Sequence, residues 1–250
     1  GYDASSWGTF TGATEDTAVS NTALTDASVD VTVKRRALQY TVTDLAGITG
    51  TGADIDPARM AASIAASYDG FFADMTADAF AAFTDIAAAG GGGDMDVATF
   101  MAAYQKLQNK SGKSVPGPYV AVLHAETWGQ LQLSIETATG AIKFNPATYE
   151  SISAKGDSYK GSFLGVDIYS SSYVTDNGVD YLSGMWAPGA IGFATGTPDP
   201  VGAVNVIRGD QVTVEFSRNA SNASTSIVGN CYLGLSIIDN DRGVLIKSAM

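Results

Sequence analysis

Residues 161–194 constrain the fold more than any other part of this sequence. Two short runs rich in β-forming residues, 161–171 and 181–187, flank a loop, and a turn at Pro188-Gly189 leads into a third apolar run. Short runs of this composition, bounded by turn residues, predict neighbouring β-strands. No group of nucleophile, base and metal-ligand residues accompanies them, so the pattern favours a surface that packs over a pocket that performs chemistry.

A long amphipathic helix is predicted before these strands. Asp56 followed by Pro57 is a favourable helix start, because aspartate caps the first turn and proline fits within it. Apolar residues then recur at steps of three and four, which predicts one helix over residues 57–88, about 45–50 Å long. The apolar stripe consists of Met60, Ile64, Tyr68, Phe71, Phe72, Met75, Ala79, Phe83 and Ile86. Gly90 to Gly93 are expected to end the helix.

The remaining elements are predicted to be mixed. A second helix is expected from near Asp96, a third over residues 127–135, and irregular chain from there to about Lys160. One face of the second helix would carry Val97, Phe100, Met101, Tyr104 and Leu107. Further strands are predicted at residues 29–33, 38–43, 119–123, 204–208, 211–216, 230–237 and 243–247. A strand-rich start, a long helix, a mixed middle and a β-rich end indicate an α+β fold.

The charge of the chain limits its partners. The sequence has 14 Lys and Arg residues against 26 Asp and Glu, a net charge of −12. Affinity for phosphate backbones comes mainly from basic side chains that displace counterions, so direct nucleic-acid recognition is not expected. An acidic protein can nevertheless enclose DNA, because repulsion keeps the two from adhering.

Cysteine usage and hydropathy exclude further classes. Cys231 is the only cysteine, so the chain cannot form an intrachain disulfide, and we expect Cys231 to be a small buried residue of a strand. No run reaches roughly 18 consecutive apolar residues, so no transmembrane helix and no membrane partner are expected. We also expect no secretory signal at the start of the sequence.

Motifs for catalysis are incomplete. Gly112-Lys113-Ser114 has the end of a phosphate-binding loop, but Leu107 stands where that loop needs its first glycine. His124-Ala125-Glu126 resembles the start of a zinc-deaminase motif, which also needs cysteine ligands that the chain lacks. A hydrolase that uses His124 stays an alternative, although no Gly-x-Ser-x-Gly elbow accompanies it. We therefore expect no catalytic residues, no cofactor, no metal and no enzymatic activity.

Lys34-Arg35-Arg36 is the densest positive cluster of the sequence. The cluster can be a solvated strand edge that blocks aggregation, or it can pair with an acidic face elsewhere. Such a face is predicted on the long helix, where Asp69, Asp74, Asp78 and Asp85 lie off the apolar stripe.

The order of the segments resembles the major capsid proteins of tailed phages, which share the HK97-type fold. Residues 23–46 resemble the end and return of an extended loop, and the helix from Pro57 resembles the long spine helix of that family. Residues 118–128 resemble the strand and helix that enter the axial domain. The closing strands are matched by residues 161–194, 234–239 and 243–246.

The resemblance implies a division of the chain. Residues 1–46 would form an N-terminal arm and extended loop, and residues 47–95 the spine helix and the start of the peripheral domain. Residues 96–194 would form most of the axial domain. Residues 195–250 would supply closing strands of the peripheral and axial domains. Both domains would be β-rich with a mixture of helices and strands.

The resemblance also implies a function. The chain would assemble into hexamers and pentamers of an icosahedral shell around double-stranded DNA, with a scaffolding protein and a portal as partners. It would reside in the virion and assemble in the host cytoplasm. The candidate inter-subunit contacts are Lys34, Arg35, Arg36, Asp69, Asp74 and Asp78. A secreted or surface-displayed β-rich adhesion protein is the alternative, which the residues rich in Thr, Ser and Asp near the start favour.

Overall fold

The computed structural model describes residues 29–45, 57–89, 93–110, 114–138, 144–196, 206–208 and 212–250. These ranges contain four α-helices and twelve β-strands, and the predicted α+β class is confirmed. The helices are α1 (Pro57–Phe80), α2 (Val97–Gln108), α3 (Ala125–Thr137) and α4 (Tyr149–Lys155). None of the helices in the described ranges combines the length and the apolar character that crossing a membrane requires.

The strands form two sheets, and the chain divides into two compact units. The strands are β1 (Lys34–Thr43), β2 (Ile86–Ala88), β3 (Tyr119–Leu123), β4 (Phe144–Pro146), β5 (Tyr159–Phe163), β6 (Val166–Ser170), β7 (Asp180–Trp186), β8 (Ile191–Thr195), β9 (Val206–Arg208), β10 (Val212–Asn219), β11 (Ser224–Ile237) and β12 (Gly243–Ala249). The larger unit consists mainly of Thr76–Gly192 and Ile237–Met250. The smaller unit consists of Val31–Met75 and Phe193–Ser236.

The larger unit is built on a seven-stranded sheet in the order β2-β12-β7-β3-β6-β5-β4. The pairs β2–β12 and β3–β6 are parallel and the other pairs are antiparallel. Helix α2 begins at its cap Asp96, whose carboxylate accepts a hydrogen bond from the Thr99 N–H at 2.7 Å. Phe100, Ala103 and Leu107 then lie on one helix face and are completely buried in the core of this unit.

The long helix ends at Phe80, so the predicted end near residue 88 is wrong. After a turn, Ile86–Ala88 form β2, and Leu245 of β12 donates its N–H to the Asp85 carbonyl at 2.8 Å. Phe83 has the spacing of the apolar stripe, but it lies in the turn after the helix. Its ring is buried there against Gly243. A three-residue strand is too short to be separated by periodicity from a continuing helix.

Two aromatic side chains occupy space that only glycine leaves open. An ideal Cβ at Gly184 of β7 would lie 2.6 Å from the Phe80 ring, and a Cβ at Gly243 of β12 would overlap the Phe83 ring. Real side chains do not approach so closely, because protein interiors are already close-packed. The end of α1 and the turn after it are therefore seated on the sheet of the larger unit by two glycines.

The region between α3 and β5 contains structure where irregular chain was predicted. Residues Phe144–Pro146 form β4, and α4 follows at Tyr149–Lys155. Thr148 caps α4 through a reciprocal pair of hydrogen bonds with Ser151. The usual signature of such a capping box has Glu or Gln at the position of Ser151, so the sequence gives a weak signal for this helix.

The smaller unit is built on the sheet β1-β11-β10-β9, with β8 also paired to β11. Helix α1 packs on this sheet through Ile64, which is 4% exposed. The Ile64 side chain lies so close to Gly229 that a Cβ at this glycine would be 2.5 Å from it. The Tyr40 and Ser63 hydroxyls are 2.6 Å apart and join β1 to the same helix.

The strand predicted at residues 29–33 is wrong, because pairing begins only at Lys34, opposite Leu233. Before that point the Thr32 backbone lies against Gly234, so closely that a Cβ there would strike it. Strand β10 is confirmed and runs to Asn219, whereas β11 begins at Ser224, six residues before the predicted start. Other predictions fall on residues outside the described ranges: the arm up to residue 28, the helix cap Asp56, the glycines at 90–92, Gly112 and Lys113, and the strand residues 204–205 and 211.

Candidate functional site

The basic triplet occupies the first three positions of β1. Successive strand residues point to opposite faces, so Arg35 lies on one face of the sheet and Lys34 and Arg36 lie on the other. The Arg35 guanidinium donates two hydrogen bonds to the Asn230 side-chain oxygen, from Nε at 2.9 Å and from Nη2 at 2.6 Å. Asn230 is buried and in turn donates to Glu215 at 3.4 Å. Arg35 is therefore held within its own chain.

Arg36 is engaged differently. Its guanidinium lies over the Phe71 ring of α1, 5.2 Å from the ring centroid, a cation–π geometry. Beside it is a cavity of about 260 Å³, lined by Arg36, Leu38, Ile64, Tyr68, Phe71 and Cys231 among others. Burial raises the pKa of the Cys231 thiol, which fits the prediction of a small buried strand residue.

Lys34 is the basic residue of the triplet that has no defined partner in the part of the chain that the structure describes. It is exposed, and no hydrogen bond or ion pair is assigned to its ammonium group within the described residues. The three cations that sequence reasoning treated as one cluster therefore have three environments: a buried amide, an aromatic ring and solvent.

Asp69, Asp74 and Asp78 lie on α1 and are exposed, as predicted, whereas Asp85 lies beyond the end of the helix, so its predicted place on the acidic face is wrong. Asp74 and Asp78 are four positions apart, about 40° around the helix axis, so they share one face. Asp69 is about 140° from Asp74 and lies on another side. In the described part of the chain, the triplet makes no ion pair with Asp69 or Asp74. Asp74 and Asp78 thus form the acidic face of α1.

An ion pair that the sequence did not reveal closes the far end of β1. The Arg218 guanidinium donates from Nη1 to Asp44 Oδ1 at 2.7 Å and from Nη2 to Oδ2 at 2.6 Å. These hydrogen bonds hold the pKa of Asp44 below its ordinary value. The pair links the end of β1 to β10, with β11 between the two strands. Asp44 and Arg218 are far apart in the sequence, so no local pattern predicts their contact.

A second unpredicted cluster lies in the larger unit. The Lys110 ammonium contacts the Asp85 carboxylate and lies 3.1 Å from the Asp241 carboxylate. Burial alone would lower its pKa, but the two carboxylates together raise the pKa of Lys110. Lys110, two residues after the end of α2, therefore links this helix to the turns that precede β2 and β12.

His124, the candidate residue of the hydrolase alternative, caps α3. Its Nδ1 accepts a hydrogen bond from the Glu126 N–H at 3.3 Å, and its ring stacks on Tyr181 with centroids 3.7 Å apart. The Ser183 hydroxyl accepts from the backbone N–H of His124 at 3.2 Å and is fully buried. Since Ser183 meets the backbone and not the ring, these residues do not form a nucleophile–base pair. Among the described residues, no group of three potential metal ligands comes together.

Comparison with known proteins places the fold. No protein-family model and no curated protein matches the sequence. The capsid structure of the cyanophage P-SCSP1u matches with a TM-score of 0.62 and 11% identity, over 97% of this chain and 81% of that chain. A structure from Mycobacterium phage Che8 matches with a TM-score of 0.59 and 19% identity, over 92% and 76%. The SrpI encapsulin of Synechococcus elongatus PCC 7942 matches with a TM-score of 0.61 and 10% identity, over 86% and 73%.

The chain therefore has the fold shared by these phage capsid and encapsulin structures. The resemblance to capsid proteins that the order of segments predicts is confirmed at the level of the fold. At identities of this size the agreement lies in the arrangement of helices and strands and does not extend to individual side chains.

Proposed function

We propose that this chain is the major capsid protein of a tailed phage, a structural protein and not an enzyme. It assembles into hexamers and pentamers of an icosahedral shell around double-stranded DNA. The observation that carries the proposal is the likeness to the cyanophage capsid, which extends over 97% of this chain. The likeness to the mature capsid of bacteriophage PhiM1 over 96% of the chain adds to it.

The HK97-type roles of the segments belong to the same proposal. Residues 1–46 act as N-terminal arm and extended loop, and residues 47–95 as spine helix and start of the peripheral domain. Residues 96–194 form most of the axial domain, and residues 195–250 supply closing strands. Helix α1, with 24 residues and a length of about 36 Å, supports the role of spine helix.

The proposed contacts between subunits join Lys34 and Arg36 to the acidic face of a neighbour's α1. Asp74 is exposed on this face, so its carboxylate is accessible to a cation of another subunit. Charge pairs of this kind set orientation and register more than affinity. Arg35 contributes by fixing the strand, and Asp69 would contact a different side of the neighbour. Many modest contacts then add up through avidity in a closed shell.

The proposed partners follow from shell assembly. A scaffolding protein and a portal take part in assembly, which occurs in the host cytoplasm before the protein resides in the virion. The net charge of −12 supports enclosure of DNA without sequence-specific binding, because the shell does not attract the phosphate backbone.

Assembly is tested by expressing the chain with and without candidate scaffolding proteins, then measuring particle mass and imaging by negative-stain electron microscopy. Closed shells or capsomer rings are expected. Uniform small particles under every condition would contradict the proposal and support the secreted or surface adhesion protein instead.

The contact residues are tested separately. We expect Lys34→Ala combined with Arg36→Ala, and Lys34→Ala alone, to reduce shell yield while circular dichroism shows an unchanged fold; Arg35 stays in place because it is bonded to the buried Asn230. Lys106→Ala, which removes an exposed lysine of α2, is the matched control and should leave assembly intact. Restoration of shells by combining Lys34→Asp with Asp74→Lys would identify the pair, whereas normal shells from Lys34→Ala would rule out its role in register.

A further inference from the structure

The cap of α3 is built on the only histidine of the chain. The His124 carbonyl accepts the first helical hydrogen bond, from the Trp128 N–H at 2.9 Å. Its side-chain Nδ1 accepts from the Glu126 N–H at 3.3 Å, and its own N–H donates to the Ser183 hydroxyl at 3.2 Å. His124 thus joins the first turn of α3 to β7 through one residue.

The cap works in one protonation state only. A ring nitrogen accepts a hydrogen bond only when it carries no proton, so the proton of the neutral ring must lie on Nε2. A proton added from solvent to Nδ1 would turn this acceptor into a donor that faces the Glu126 N–H. The resulting positive charge would also lie at the N-terminal end of a helix, where the macrodipole disfavours cations.

The surroundings of the His124 ring have opposite effects on its pKa. The ring stacks on Tyr181, with an angle of 12° between the planes, and the Tyr181 hydroxyl donates to Glu126 at 2.7 Å. Glu126 of α3 and Asp176 of the loop before β7 are the carboxylates near the ring, and both favour its charged form. Burial disfavours that form and has the larger effect, so the pKa of His124 lies below its ordinary value.

We propose that His124 is an acid-sensitive latch of the larger unit, in which uptake of a proton at Nδ1 breaks the cap and loosens the first turn of α3. The next residues inward, Thr127 and Leu131, are fully buried, and the Thr127 and Ser248 hydroxyls are 2.8 Å apart. Loosening of the first turn therefore reaches the contact between α3 and β12. The latch is a property of the single chain and does not depend on shell assembly.

The direction of the pH effect follows from the lowered pKa. The unfolded chain binds a proton to His124 near the ordinary value of about 6.5, and the folded chain binds it only at lower pH. The stabilising contribution is thus fully present above about 6.5 and is lost as the pH falls from there through the folded value. Acid opens the latch and neutral solution closes it.

The first measurement uses the unassembled full chain without any substitution. With one histidine, the imidazole proton signals in an NMR titration belong to His124, and we expect a midpoint below about 6.5. The protection factors of the Glu126 and Trp128 amides against hydrogen exchange should fall over the same pH range. A midpoint at or above the ordinary value, or protection of these amides that does not follow it, would overturn the latch.

A matched variant separates the pH effect of the His124 cap from that of the nearby carboxylates. In His124→Asn the side-chain oxygen can still cap the helix, but the residue does not titrate. We expect the fall in Tm between about pH 8 and about pH 5 to be smaller in this variant than in the native chain. In Tyr181→Phe, which keeps the ring stack and removes the bond to Glu126, the fall should persist. Equal pH dependence in the native chain and His124→Asn would refute the proposal.

Discussion

Strands β1 and β12 are both paired along their whole length, yet their side chains lie in opposite environments. None of the ten residues of β1 is buried, whereas five of the seven residues of β12 are. Strand β12 lies inside the sheet of the larger unit, next to core residues such as Met185 that are completely buried. Strand β1 is an end strand of its sheet. The larger unit is thus stabilised by its own core, while the side chains of β1 are left partly or fully exposed.

The largest difference between the two units should appear when one aromatic ring is removed from each. Phe100 is completely buried, so Phe100→Ala should lower the free energy of unfolding by about 3–5 kcal/mol. Phe72 is partly exposed and meets Phe193 edge to face at 5.1 Å, so Phe72→Ala should cost only about 1–2 kcal/mol. Urea unfolding followed by circular dichroism measures both. Equal losses would show that the two units do not differ in this way.

Glycine substitutions in the larger unit should act in opposite directions. Gly243→Ala places a methyl group on the Phe83 ring and should destabilise the chain by about 1–3 kcal/mol. Gly129→Ala is the matched control: no atom lies within 4 Å of its Cβ position in α3, so it should stabilise by up to about 1 kcal/mol. Thermal unfolding compares the two. A neutral Gly243→Ala would mean that the Phe83 ring moves aside without loss.

The smallest effect concerns alkaline pH. The raised pKa of Lys110 means that its contribution is present below the unfolded value of about 10.4 and is lost as the pH rises through the folded value. Lys110→Gln should remove this part of the alkaline loss, which we expect to be less than about 1 kcal/mol at this partly exposed site.

The pH series should compare Lys110→Gln with Arg218→Gln by urea unfolding, since tyrosines titrate in the same range in all variants. Arg218 pairs at the exposed edge of the smaller unit, so its loss should leave the alkaline slope of the native chain unchanged. An unchanged slope in Lys110→Gln would show that its carboxylate partners do not couple folding to alkaline pH.

Periodic features of the fold could be predicted from the sequence. The stripe of α1 as far as Ala79, the face of α2 with Phe100 and Leu107, and strands at residues 119–123 and within 161–194 are present, although the predicted run 161–171 contains the two strands β5 and β6. Their signals repeat over several turns or alternate along several residues, so they survive local exceptions. Strand β2 and helix α4 were missed because each is short and stabilised by partners distant in sequence or by an unusual cap.

The candidate site could be predicted only as a set of residues. Lys34, Arg35 and Arg36 are one cluster in the sequence, but a one-residue step along a strand reverses the face, so Arg35 leaves the other two. The position of the strand start at Lys34 decides this, and strand ends are the least certain part of a sequence-based assignment. The stacking of His124 on Tyr181 and the pair of Arg218 with Asp44 depend on contacts across the fold and have no local pattern.

The central position of β12 has a consequence for biosynthesis. Both of its neighbours, β2 and β7, are translated long before residues 243–249, so a growing chain presents two unpaired strand edges until those residues leave the ribosome. Open edges of this kind recruit other chains. The larger unit therefore completes its sheet late, and aggregation during synthesis at high expression is a hazard that chaperones would have to limit.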